Sequence, residues 1–248
     1  MLRLYTFASS HFAERARWTL DLNRFEYTER RLIPGLHMLV IRRRVAGTSV
    51  PLLEHDKTFV QGSGAIADYL EQRLGATRLA PSPGASDRCA QIEELAERVF
   101  GAGGTRIFYA TMLNHRNTLV DLWTHDGPPW TRALYALSFP VAVRATRRMY
   151  GINATAVHDA KDAFRRAVDT IDRALESSPY ILGDTLSRAD VTVASLLALM
   201  CRPLDHPFQF PTAAPPELAR FVAEFEGRPT WDFVRRMYTE HRRRRDPA

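Results

Sequence analysis

Cysteine is almost absent from this 248-residue chain: only Cys89 and Cys201 occur, far apart in sequence. That excludes a disulfide scaffold, and a chain of this length builds a core without one. Two free thiols point to a reducing compartment. Lysine is nearly as scarce. Only Lys57 and Lys161 are lysines among 34 basic residues, and the rest are arginines. No C-x-x-C, no H-E-x-x-H and no histidine pair at ligand spacing is present, so no metal site is expected. Long apolar runs are also missing. The longest, Val193 to Met200, is interrupted by Ser195 and is too short to span a bilayer. The opening Met1-Leu2-Arg3-Leu4-Tyr5 offers no apolar stretch of the length a secretory leader needs. A cytoplasmic protein with no membrane partner is the expectation.

The formal charge of +6 invites a nucleic-acid reading. Half of it lies in Arg242-Arg243-Arg244-Arg245 with Asp246, at the chain end, where a solvated tail is the ordinary outcome. No zinc finger, heptad or aromatic RNA-binding motif accompanies the charge, so no nucleic-acid partner is predicted. With 45% hydrophobic and 25% charged residues, the composition is that of an ordinary folded chain.

Patterning divides the chain. Residues 1–79 alternate between strand and helix signals: a strand at Leu2–Thr6, a helix over about Phe12–Leu22, a strand at Tyr27–Leu32 and an irregular basic helix over Leu36–Val45. A hairpin follows, from Val50–Glu54 through His55-Asp56-Lys57 to Thr58–Val60, and then a helix over Ser63–Leu74. This is an α/β layout. Ala80-Pro81-Ser82-Pro83-Gly84 reads as a linker, assigned to 80–88, and 89–248 carries almost no strand signal. Gly101, Gly103 and Gly104 weaken or kink one of its helices, and Pro140 should kink another. Ala154–Ser177 is strongly amphipathic. Val191–Met200, apolar nearly all round, suits the central helix of a bundle. It is preceded by Ser187-Arg188-Ala189-Asp190, a capping box. Prolines between Pro203 and Pro216 mark a long loop. Helices near Glu217–Glu226 and Thr230–His241 close the chain.

Three places in the first unit carry groups suited to chemistry. Ser10 stands where a strand gives way to a helix, and a helix N-terminus favours an anion. Its hydroxyl can stabilise a thiolate held there; an ordinary N-cap is the competing reading. Val50-Pro51 opens a strand, where a proline can be cis or an ordinary edge residue. Gln61-Gly62-Ser63-Gly64 precedes a helix, and its amides with the Ser63 hydroxyl suit a carboxylate. It is neither a Walker A loop nor a dinucleotide fingerprint.

Ser10-His11-Phe12-Ala13-Glu14-Arg15-Ala16-Arg17-Trp18-Thr19-Leu20 resembles the first-helix signature of the cytosolic glutathione transferase superfamily, in particular bacterial, omega-like members. Val50-Pro51-Leu52-Leu53, Gly62-Ser63-Gly64-Ala65-Ile66 and the 187–190 capping box resemble further motifs of that family, in its order. The resemblance implies a thioredoxin-like N-terminal domain (1–79) and an all-helical C-terminal domain (89–248). It implies glutathione in the first and a small hydrophobic electrophile between the two, in a detoxifying homodimer. Carried over, Ser10 is the activating hydroxyl, with Phe12 beside it in the binding set. The Val50 backbone and a cis Pro51 meet the cysteinyl part, and Ser63 takes the γ-glutamyl carboxylate. Gln61 and His37 are further polar contacts.

Two departures stand out. Gly62 replaces the acid that pairs with the γ-glutamyl ammonium, and losing such a bond costs about 1.5–3 kcal/mol. Ser10 replaces the cysteine of omega-like members, which argues against mixed-disulfide chemistry and for thiolate activation. The alternatives to conjugation are a non-catalytic ligand- or partner-binding protein and a glutathione-dependent isomerase, lyase or dehalogenase.

Overall fold

The computed structural model of the chain describes residues 1–210 and 213–242. The alternating segment near the N-terminus forms β1 (Leu2–Thr6), and α1 (His11–Leu22) follows it. Next come β2 (Tyr27–Arg31), the short α2 (His37–Ile41), β3 (Leu52–His55), β4 (Thr58–Gln61) and α3 (Ser63–Leu74). The basic helix expected over Leu36–Val45 therefore shrinks to one turn and a half, and β3 starts two residues later than Val50. The four strands make one sheet in the order β2-β1-β3-β4. β1 runs parallel to β2, while β3 is antiparallel to both β1 and β4.

Period-two burial explains the sheet. Leu2, Leu4 and Leu53 face one layer with Ala16 and Leu20 of α1 and Ile66 and Leu70 of α3. Tyr5 and Leu52 face the other way, against Leu32 and Ile41. The register places Thr6 opposite Arg31, Tyr5 opposite Leu52 and Leu52 opposite Gln61. Four connections thus emerge at one edge of the sheet: 7–10, 32–36, 47–51 and 62.

The rest is helical: α4 (Ser86–Ala96), a π-helical stretch Glu97–Gly103, α5 (Gly104–Met112), α6 (Arg116–Trp123), α7 (Pro129–Met149), α8 (Ala154–Leu175), α9 (Arg188–Cys201), α10 (Pro216–Ala223) and α11 (Pro229–His241). Residues 86–88, read with the linker, instead form the first turn of α4. The Gly101-Ala102-Gly103-Gly104 run widens the helix into a π turn without ending it, an irregularity that often marks functional sites. Pro140 lies inside α7.

Every residue of α9 from Ala189 to Met200 is buried, as an all-round apolar helix demands. Its capping box is formed. Asp190 accepts from the Ser187 amide at 2.8 Å, the Ser187 hydroxyl at 2.7 Å and the Ile181 amide at 2.8 Å, so it also ties down the preceding loop. Asp190→Ala strands two buried amides, each worth about 1–3 kcal/mol. The expected loss is about 3 kcal/mol, read as a lower urea midpoint at constant m-value. An unchanged midpoint would contradict this role.

The C-terminal arginine run departs from the solvated-tail reading at its first residue. Arg242 is buried against α1, where Glu14 and Asp21 receive it at 2.6 and 2.9 Å. Arg243, Arg244 and Arg245 lie outside the described residues, as does Pro211 in the proline-rich loop. No described helix is long and apolar enough to cross a membrane.

Candidate functional site

Ser10 caps α1. Its backbone is extended, and its Oγ accepts from the Ala13 amide at 3.2 Å. That bond uses a lone pair and leaves the hydroxyl proton free to donate outward. Capping and thiolate stabilisation are therefore compatible at this one atom. The next residue, His11, is buried, with Nε2 3.4 Å from both the Gly101 carbonyl and Thr105 Oγ1. Burial drives its pKa down to about 4, so the ring is neutral at pH 7 and adds no positive charge beside Ser10. The Phe12 ring lies on Gly101 of the π turn. A Cβ there would fall 2.5 Å from Phe12 Cζ.

The remaining polar residues of α1 face inward. Arg17 donates to Glu29 at 2.6 Å and to the Phe7 carbonyl at 2.8 Å. Arg15, fully buried, pairs with Glu93 at 2.6 Å and with Glu97. Glu93 also receives Arg188, which reaches on to Asp68 and Glu71 of α3. Charges on α1, α3, α4, α9 and the π turn form one network across the two domains.

The edge opposite Ser10 is built by the hairpin. The Val50–Pro51 peptide is cis, and the Pro51 carbonyl accepts from the Gly62 amide at 2.9 Å. Gln61 donates to the Ser49 carbonyl at 2.8 Å, and its amide packs on Gly47, where a Cβ would have to displace it. Gln61 thus holds the loop that leads into Val50. Gly62 has φ +98°, a conformation that favours glycine, and faces open space. Ser63, first residue of α3, is 3% exposed, and its Oγ has no hydrogen-bond partner. The amides of the first α3 turn have no intrahelical acceptor by geometry. His37 begins α2 on the same edge, its ring edge-on to Phe7 at 4.8 Å. Burial lowers its pKa, against weaker backbone contacts with Thr48 and Ile33.

Of the seven expected site residues, six lie on connections at one sheet edge or on the first turns of the helices leaving it, and Gln61 is the last residue of β4 at that same edge. One carboxylate there was not expected from sequence. Glu97, on the π turn, places Oε1 2.8 Å from where a Gly64 Cβ would stand, with Arg15 Nη1 3.5 Å from the same point. Glu97 is thus sited beside Gly64 in the first turn of α3, and Gly64 is two residues on from Gly62. The glycine run that follows it in sequence was the available signal. Elsewhere, burial pushes the thiols of Cys89 and Cys201 up to about 11 and about 12, which favours the protonated form of both at neutral pH. Among the described residues no cluster suited to a metal ion occurs.

A thioredoxin-like sheet followed by a helical bundle, with its polar edge at the α1 and α3 N-termini, is the glutathione transferase fold. The sequence profile of the glutathione S-transferase N-terminal domain matches residues 4–78, and that of the C-terminal domain matches 140–224. The chain belongs to the glutathione S-transferase superfamily. Among solved structures it is similar to glutathione transferase GSTFuA3 from Phanerochaete chrysosporium, at 17% identity over 99% of this chain and 98% of that one, TM-score 0.66. It is similar to a Ceriporiopsis subvermispora glutathione S-transferase in complex with glutathione, at 14% identity over 99% of both chains, TM-score 0.63. It is also similar to the beta-etherase LigF from a Sphingobium species, at 17% identity over 94% and 98%, TM-score 0.63. No curated protein sequence matches the chain significantly.

Proposed function

We propose that this protein binds glutathione along the shared sheet edge and holds its sulfur as a thiolate at the N-terminus of α1, for attack on a small hydrophobic electrophile. The Ser63 hydroxyl carries the reading. A buried hydroxyl without a partner costs about 1–3 kcal/mol. A carboxylate seated on the first turn of α3 would accept its proton and the free amides together. The γ-glutamyl carboxylate of glutathione suits that place. Its neighbouring ammonium needs an acid, which Gly62 cannot supply, and Glu97, which also pairs with Arg15, lies beside Gly64 in that turn. The Val50 backbone would meet the cysteinyl part, held by the Gln61 clamp. The neutral His37 ring would donate one hydrogen bond at the glycyl end.

At the other end the thiol meets Ser10. The thiol proton leaves to solvent, the Ser10 hydroxyl donates to the sulfur, and the α1 amides add their partial positive charge. The thiolate sulfur then forms the S–C bond with the electrophilic carbon, which either releases a leaving group with its bonding electron pair or, when it belongs to a polarised double bond, passes that pair to the far atom for protonation by solvent. Rate comes from a thiolate present at neutral pH and from holding it beside its partner.

The test is Ser63→Ala. Removing a hydrogen bond to a charged group should weaken glutathione binding about tenfold to hundredfold in calorimetry. Because Ser63 Oγ makes no bond within the protein, Tm should stay the same or rise. Unchanged affinity, or an affinity loss matched by a fall in Tm, would contradict the assignment.

A further inference from the structure

α7 is apolar on the side that faces away from the protein. Its core face is Thr131, Tyr135 and Phe139, buried at four-residue steps. On the opposite side Trp130, Leu134, Leu137 and Val141 are 58, 41, 84 and 72% exposed. Steps of four, three and four keep these side chains on one line, about 16 Å long. The same line continues into Arg144 and Arg148. Pro129–Met149 contains no aspartate or glutamate. Of its four arginines, Arg132 pairs with Asp121 at 2.9 Å, while Arg144, Arg147 and Arg148 have no carboxylate partner among the described residues. The neighbouring α2 has the same character. The Tyr135 hydroxyl donates to the Pro34 carbonyl just before it, and α2 exposes Leu39 and is followed by the exposed Arg42 and Arg43.

A row of four large exposed apolar groups on one helix asks for a cover. Charge decides which. In a two-fold contact between α7 helices neither copy of α7 would offer these arginines a carboxylate. An anionic bilayer attracts the same arginines, accepts the leucines and valine at its acyl boundary, and suits tryptophan at its headgroups. We propose that α7 lies flat on anionic lipid, with Trp130, Leu134, Leu137 and Val141 inserted and Arg144, Arg147 and Arg148 against the headgroups. Such adsorption needs no spanning helix, and it stands independently of the chemistry at the sheet edge.

The experiment is co-sedimentation of the full chain with phosphatidylcholine vesicles, with and without phosphatidylserine. The expected result is binding to the mixed vesicles, weaker by about tenfold or more on pure phosphatidylcholine and weakened by salt. Tryptophan emission should shift to the blue on binding, because Trp130 is the exposed indole. The double variant Leu137→Glu/Val141→Glu alters only exposed side chains. It should keep its circular dichroism and Tm and lose vesicle binding about tenfold or more. Binding to neither vesicle, equal binding to both, or a double variant that binds like the wild type would overturn the proposal. So would concentration-dependent self-association that the double variant abolishes, which would assign the stripe to a second copy.

Discussion

Ser10→Ala should lower kcat/KM toward a model electrophile about tenfold to hundredfold, while the affinity for glutathione changes little. A hydrogen bond to a charged group is worth about 1.5–3 kcal/mol, and here the charged form is the sulfur that reacts. The helix N-terminus remains in the variant and keeps part of the stabilisation. The pH profile distinguishes this role from a structural one. The thiol of bound glutathione should titrate at higher pH in the variant, so its rate should recover as pH rises and converge on the wild type. The cap must be controlled for, because Ser10 also accepts from Ala13. Losing a cap costs about 1 kcal/mol of stability but does not move a thiol pKa. A parallel drop in rate at every pH, with an unshifted profile, would assign Ser10 to folding alone.

Arg242→Met should destabilise the protein by about 3–5 kcal/mol, the penalty for stranding a buried charge. Glu14 is fully buried, and Arg242 donates to it at 2.6 Å and to Asp21 at 2.9 Å. The guanidinium also lies 5.8 Å from the Trp18 ring centre. Burial pushes Glu14 up, but Arg242, then His206 and Arg17, outweigh it and hold the carboxyl at about 2. Its folded value is depressed, so its stabilising contribution is complete above the ordinary value of 4.5 and fades as pH falls toward 2. The gap in stability between wild type and variant should therefore be widest near neutral pH and should narrow as pH falls, first as the stranded Glu14 of the variant takes up a proton and then, below about 4.5, as the wild-type pair is lost. At neutral pH, Tm should fall by roughly 6–20 °C on the usual scaling for a chain of this size. Adding Glu14→Gln removes the stranded charge and should recover much of the loss. A fall of less than about 1 kcal/mol would show that Arg17 alone satisfies Glu14.

These contrasts show where the sequence speaks clearly. The sheet, α1, α3, α8 and α9 were legible because each is specified by a local period: Leu2 and Leu4 alternate, and Phe164, Val168 and Ile171 repeat at helical spacing. Ser10, Pro51 and Ser63 were legible as element boundaries, and the strand register then brings them to one edge. Charges that pair over long separations were not. Arg242 looked like a tail because nothing near it in sequence reveals Glu14, 228 residues away. Arg15 and Arg17 could be seen as a motif, but their partners Glu93, Glu97 and Glu29 could not. Glu97 lies beyond a linker and on a π turn that no helical period describes, and only the glycine run after it pointed there. In α7 a helix carrying Pro140 was visible, but which side the core covers depends on Tyr135 and Phe139 finding it. That is a tertiary fact.

The most direct measurement of the central claim is a titration of the wild-type protein with glutathione at neutral pH, followed by the ultraviolet band of the thiolate. The account predicts saturable binding and a thiolate signal that persists well below the pH at which free glutathione ionises, reduced in Ser10→Ala and reached only at higher glutathione concentration in Ser63→Ala. Saturable binding with no thiolate band would leave the binding edge standing and remove Ser10 from the chemistry. No saturable binding up to millimolar glutathione would contradict the account as a whole.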